Sequence, residues 1–145
     1  MGIKLSEIRP DLAAKSILDG QVSLQKSESE TALVKVFAQG ERPNVGLDDE
    51  FIEVVFNGTV RSKTKPMGLL RGNLAVIVYV KTYEDGSVFQ YRVDSILKQL
   101  EEKVSNATVD NFFFSLSLNN IITPTTVNIT SGYSTTILNV EWHTI

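Results

Sequence analysis

The stretch Leu74-Ala75-Val76-Ile77-Val78-Tyr79-Val80 decides the fold, because it is apolar at every position. A strand with one solvated face alternates apolar and polar residues, whereas a strand covered on both faces is apolar throughout. The sequence therefore predicts a strand in the middle of a sheet.

Downstream of this strand lies the clearest amphipathic helix of the sequence, from Arg92 to Val104. Its apolar residues recur at helical spacing, and charged residues occupy the other side. We expect this helix to lie across the sheet. The apolar residues are Val93, Ile96, Leu97, Leu100 and Val104.

Capping, turn and alternation signals predict the remaining elements. A helix is expected from Ser6, a capping residue, to Asp19, just before Gly20. The order of helix, strands, helix and strands indicates an α+β fold with a mainly antiparallel sheet. The first two of the other strands would form a hairpin, and the third would end at the turn signal Asn57-Gly58. These strands are expected at 22–24, 33–37, 51–56, 112–118, 127–129 and 136–142.

Length and composition are those of one globular domain, residues 1–145, with 42% apolar and 21% charged residues. The absence of cysteine excludes a disulfide framework, a thiolate metal site and a cysteine nucleophile. No stretch approaches the roughly 20 apolar residues that span a bilayer, and the start lacks the apolar run of a signal peptide. We therefore expect no membrane partner, and synthesis in the cytoplasm.

The most distinctive charge feature is a long connection at about residues 59–72, which carries Arg61, Lys63, Lys65 and Arg71 and no acidic residue. Connections of this length are uncommon in compact domains and are often functional. One interpretation is a solvated loop. The other is an arm that orders against an acidic surface of a neighbouring subunit or against nucleic acid. A net charge of −3 argues against general binding to a polyphosphate backbone.

No catalytic, cofactor-binding or metal-binding constellation stands out among the residues. The only histidine, His143, is third from the end, and we expect a surface residue at a frayed terminus. The acidic run Asp48-Asp49-Glu50 matches no calcium loop and is expected to be a solvated turn. We therefore expect a protein without catalytic activity or cofactor, and an enzyme with a carboxylate-based site is an unsupported alternative.

The aromatic residues near the C-terminus raise the question of a base-stacking platform, in which aromatic rings lie beside basic residues. Phe112, Phe113 and Phe114 have Ser, Asn and Asp as sequence neighbours, and the basic residues are distant in sequence. Core packing is the better interpretation for Phe112 and Phe114. For Phe113 an interface is allowed.

From Arg61 to the C-terminus the chain has a basic loop, the strand 72–81, a turn with Gly86, the helix 93–100 and then two or three strands. This order resembles the tail-terminator or tail-completion proteins of long-tailed phages and prophages, which are neck or minor tail proteins. In that family a strand runs into a helix that lies across an antiparallel sheet.

The resemblance implies a structural virion protein that forms a homo-oligomeric ring, caps the tail tube and joins it to the head connector. Its partners would be the tail tube protein and the head-connector protein, with transient DNA contact in the ring lumen and a final location in the tail or neck. Arg61, Lys63, Lys65 and Arg71 would contact acidic neighbours or DNA. The alternative is a small non-catalytic adaptor domain that binds a protein or a glycan through its sheet face.

Overall fold

The computed structural model describes residues 8–25, 29–43, 49–62, 70–82, 90–125 and 133–145. Within these ranges the chain forms two helices, α1 (Pro10–Leu18) and α2 (Gln90–Val104), and eight strands. The strands are β1 (Ser23–Gln25), β2 (Thr31–Leu33), β3 (Lys35–Ala38), β4 (Phe51–Ser62), β5 (Leu70–Lys81), β6 (Ala107–Val109), β7 (Phe112–Thr125) and β8 (Tyr133–Thr144).

Six strands form the main sheet, in the order β3-β4-β5-β8-β7-β6. All neighbouring pairs are antiparallel except β3 and β4. The predicted α+β class with a mainly antiparallel sheet is therefore confirmed. The all-apolar stretch lies in β5, which has a partner on each side, so its predicted interior position is also confirmed.

One face of the sheet holds the main core, and both helices pack on it. Helix α1 contacts β3 and β4 near one edge of the sheet and β6 and β7 near the other, which requires the sheet to curl around the helices. On the opposite face, which we call the helix-free face, no described helix packs. The core side chains are Leu74, Val76, Val78 and Val80 from β5, Leu138, Val140 and Trp142 from β8, and Val93, Ile96, Leu100 and Val104 from α2.

The hairpin predicted from 22–24 and 33–37 is only partly correct. β1 pairs with β2, and the amide of Val34 donates to the carbonyl of Val22 at 2.9 Å. From Lys35 onward the chain leaves this pair and runs parallel to β4, with Lys35 opposite Phe51. The consecutive strands β2 and β3 thus belong to different sheets. The predicted strand 127–129 and the first seven residues lie outside the described residues.

An aromatic cluster lies at one end of the helix-free face. Phe51 and Tyr79 are cross-strand partners, and their rings stack with centroids 4.3 Å apart. Phe37 and Tyr133 meet Phe51 edge-on at 6.0 and 5.6 Å. The hydroxyl of Tyr79 donates to Glu53 at 3.2 Å, so the cluster combines apolar contact with one polar anchor.

Burial, together with the negative charge of Glu53, raises the pKa of the Tyr79 hydroxyl above its ordinary value. As pH rises, Tyr79 therefore ionises in the unfolded chain before it ionises in the folded chain. The contribution of its neutral hydroxyl to stability is fully present below about pH 10 and is lost as pH rises through the folded pKa. We expect Tyr79→Phe to reduce the fall in the free energy of unfolding between about pH 9 and 11. Urea unfolding across that range tests this, with the exposed Tyr91 changed to Phe as the control. An alkaline fall as steep as that of the unmodified chain would contradict it.

Candidate functional site: the basic end of the sheet

β4 and β5 form a long antiparallel pair, and two of the four predicted basic residues, Arg61 and Arg71, lie at its far end. Asn57 is opposite Asn73, and Arg61 is opposite Arg71. Over this interval β4 advances by four residues while β5 advances by two, so β4 contains a bulge. The turn expected at Asn57-Gly58 is instead this bulge. A flexible glycine that suits a turn also lets a strand take extra residues without losing its partner.

The loop predicted at residues 59–72 is therefore wrong in its extent. Residues 59–62 belong to β4 and residues 70–72 to β5. The polar, basic composition suggested a loop, but strand residues on a solvated sheet face are polar as well. Lys63 and Lys65 lie outside the described residues. Arg61 and Arg71, by contrast, are direct cross-strand partners.

Two residues that sequence reasoning did not select extend this pair across the sheet. Arg71 is opposite His143 on β8, and His143 is opposite Phe113 on β7. The rings of Phe113 and His143 are 5.1 Å apart and inclined by 33°. We call Arg61, Arg71, His143 and Phe113 the basic-aromatic row. It crosses four adjacent strands and spans about 15 Å at the usual spacing between strands.

The row contains one exposed cation, Arg71. It forms no ion pair within the described part of the chain. Its two cross-strand partners are Arg61 and His143. The next rung is the set of paired residues on the same face, two positions along β5, β8 and β7. It contains one acidic residue, the exposed Glu141, opposite Asn73.

A close contact on the other side of the sheet fixes the centre of the row. Gly72 follows Arg71 and is opposite Trp142, which precedes His143. A Cβ atom on residue 72 would lie 2.8 Å from Cζ2 of the Trp142 indole, too close for real atoms. The glycine thus lets the indole lie directly over β5. This contact holds β5 and β8 together beneath the Arg71–His143 pair.

Amide side chains flank the row on the helix-free face. Nδ2 of Asn57 donates to Oδ1 of Asn139 at 2.8 Å, which links β4 to β8 across β5. Asn73, the strand partner of Asn57, is exposed. The surface beside the cations therefore offers neutral hydrogen-bond donors and acceptors.

The structure also corrects two expectations about single residues. β8 continues to Thr144, so His143 is a half-buried strand residue with a partner on each side, not part of a frayed end. Glu50 is buried and ion-paired with Arg92, so that part of the expected solvated turn is wrong. Asp48 lies outside the described residues.

The aromatic expectations are confirmed where the structure tests them. Phe114 is part of the main core and Phe112 packs against it. Phe113 is on the opposite face, as strand alternation requires. The same alternation, continued from Trp142 to His143, was the only sequence signal that could have placed the histidine on that face.

Among the described residues, no group of three or more His, Cys, Asp or Glu side chains could hold a metal ion. None of the described helices is long and apolar enough to cross a membrane. No family model matches the chain, and no curated protein sequence matches it.

Proposed function

We propose that this chain is a non-catalytic structural subunit of a phage or prophage virion, of the tail-terminator kind. It assembles into a homo-oligomeric ring that caps the tail tube and joins it to the head connector. Its partners are the tail tube protein and the head-connector protein, with transient DNA contact in the ring lumen. It is made in the host cytoplasm and resides in the tail or neck.

The observation that supports this proposal best is Arg71, an exposed cation that forms no ion pair within the described part of the chain. Its cross-strand partner on β4 is a second arginine, Arg61. An acidic surface of another subunit would neutralise this charge and would also orient the incoming partner. A surface with this property is expected of a subunit that functions in an assembly.

The edges of the sheet support contact through side chains over contact by strand addition. β3 covers β4 only along Phe51–Val54, and β6 covers β7 only along Phe112–Phe114. Beyond these stretches the register of both long strands is irregular. Bulges at an edge discourage indiscriminate pairing with other chains. A closed ring requires two different patches to meet at each joint, and the basic end is one suitable patch.

The proposal predicts that the double variant Arg61→Ala/Arg71→Ala loses assembly while the subunit stays folded. Light scattering coupled to size exclusion, across a wide range of concentration and at low and moderate salt, measures the mass. We expect the unmodified chain to form a ring-sized species that salt weakens. Adding Lys63→Ala and Lys65→Ala to this variant should weaken assembly further.

The matched control is Lys98→Ala/Lys103→Ala, which removes the same charge from exposed positions of α2. This variant should assemble normally. The free energy of unfolding of the arginine variant should change by no more than about 1 kcal/mol, because Arg71 is exposed and forms no ion pair within the described residues. A strict monomer at every concentration would argue against the ring and for an adaptor domain. Unchanged assembly of the arginine variant would show that the joint lies elsewhere.

A further inference from the structure

We propose that the basic-aromatic row binds single-stranded nucleic acid, with the cations on phosphates and Phe113 against a base. The sequence alone argued against a stacking platform, because the basic residues are distant from the aromatic run. Strand register removes that objection. Arg71 and Phe113 are 42 positions apart in the chain but flank the same residue, His143, in the sheet.

The chemistry of the row fits both parts of a nucleotide. Arginine binds phosphate oxygens with a planar fork of donors, and the exposed Arg71 has Arg61 as its cross-strand partner. Phe113 is half-buried and its ring lies beside the imidazole of His143, which restrains it. Aromatic rings on a sheet face stack with bases irrespective of sequence, because every base has a π-face.

The neighbouring amides complete the arrangement. Asn73 is exposed in the rung next to the row, and Asn57 is linked to Asn139 on the same face. Amides of this kind hydrogen-bond the edges of unpaired bases. An acidic protein partner would need the arginines but neither an aromatic ring nor amides. Duplex DNA would present its phosphates but keep its bases stacked away from Phe113.

The dimensions and the overall charge are compatible with a short, local contact. A row of about 15 Å corresponds to roughly four stacked nucleotides, the lower end of known single-strand sites. The net charge of −3 does not oppose this, because salt screens distant acids beyond about 8 Å at physiological ionic strength. Glu141 is the acidic residue on the adjacent rung, and it limits the affinity.

The test is fluorescence anisotropy with a labelled oligothymidylate of about twelve nucleotides at low salt. The unmodified chain should bind it, and rising salt should weaken binding. Phe113→Leu keeps the apolar bulk but removes the ring, and should weaken binding about tenfold. Arg71→Ala should weaken binding and lower the salt slope by about one. Tyr91→Leu and Lys98→Ala, both at exposed sites on α2, are the matched controls and should bind normally.

Four results would overturn the inference. Two are no binding at low salt and full binding by Phe113→Leu. The other two are competition by polyglutamate equal to that by unlabelled oligothymidylate, and competition by a duplex of the same length stronger than that by unlabelled oligothymidylate. Thermal unfolding of each variant checks that it is folded. Binding of the oligonucleotide does not depend on ring formation. A chain that binds but stays monomeric would refute only the proposed assembly, and a chain that assembles without binding would refute only this inference.

Discussion

Glu50→Ala is expected to lower the free energy of unfolding by about 3 kcal/mol, because it removes the carboxylate that neutralises the largely buried Arg92 guanidinium. Oε1 of Glu50 accepts a hydrogen bond from Nη1 of Arg92 at 2.5 Å. The two side chains are only 2% and 13% exposed. This pair connects the segment before β4 to the start of α2, so its loss loosens the helix on the sheet. Urea denaturation followed by circular dichroism measures the change.

Lys15→Ala is the control, since it breaks an ion pair with Glu41 whose side chains are 26% and 37% exposed. A pair so accessible to solvent should cost less than about 1 kcal/mol. The double variant Glu50→Leu/Arg92→Met replaces both buried charges by apolar groups and should recover most of the loss. An equal loss in Lys15→Ala and Glu50→Ala would contradict the assigned role of burial.

Gly72→Ala is expected to lower the free energy of unfolding by about 2 kcal/mol, because its methyl group would overlap the Trp142 indole. The nearest indole atom, Cζ2, would lie 2.8 Å from the new carbon, and two further indole atoms would lie at 3.0 Å. The indole is buried among core residues and can move only by displacing them. Trp142 is the only tryptophan, so its fluorescence reports both the shift and the unfolding transition.

Asn73→Ala is the matched control, one residue further along the same strand and exposed on the other face. It should change stability by no more than about 0.5 kcal/mol. Gly72→Ala combined with Trp142→Phe relieves the overlap, so the two changes should cost less together than the sum of their separate costs. Full additivity would indicate that the glycine acts through backbone freedom alone.

The central strand and the amphipathic helix could be predicted from the sequence because their signals are local. A run of seven apolar residues predicts burial on both faces of an interior strand. β5 lies between two strands, and six of the seven residues are buried, with Ile77 half-buried. The apolar spacing of 92–104 requires one buried helical face, and α2 packs that face on the sheet. In each case the residues that carry the signal are also those that make the contact.

The extent of β4 and β5 could not be predicted in this way. Residues 59–62 and 70–72 contain only two apolar residues, Val60 and Leu70, and no alternating pattern. Their pairing with each other and with β8 makes them strand. The Asn57-Gly58 turn signal was also misleading, because a bulge uses the same backbone freedom as a turn. Hydrogen bonding across the sheet therefore outweighed the local preference.

What the sequence by itself determined is the α+β class, the buried interior strand, and the presence of basic residues flanking the segment 62–70. Only the tertiary structure decided which residues lie next to these basic residues in the sheet. Register between strands far apart in the chain brings Arg71 against His143 and His143 against Phe113. Local patterns report burial and periodicity but contain no information on which strands pair or at what offset. The basic-aromatic row is a property of that offset.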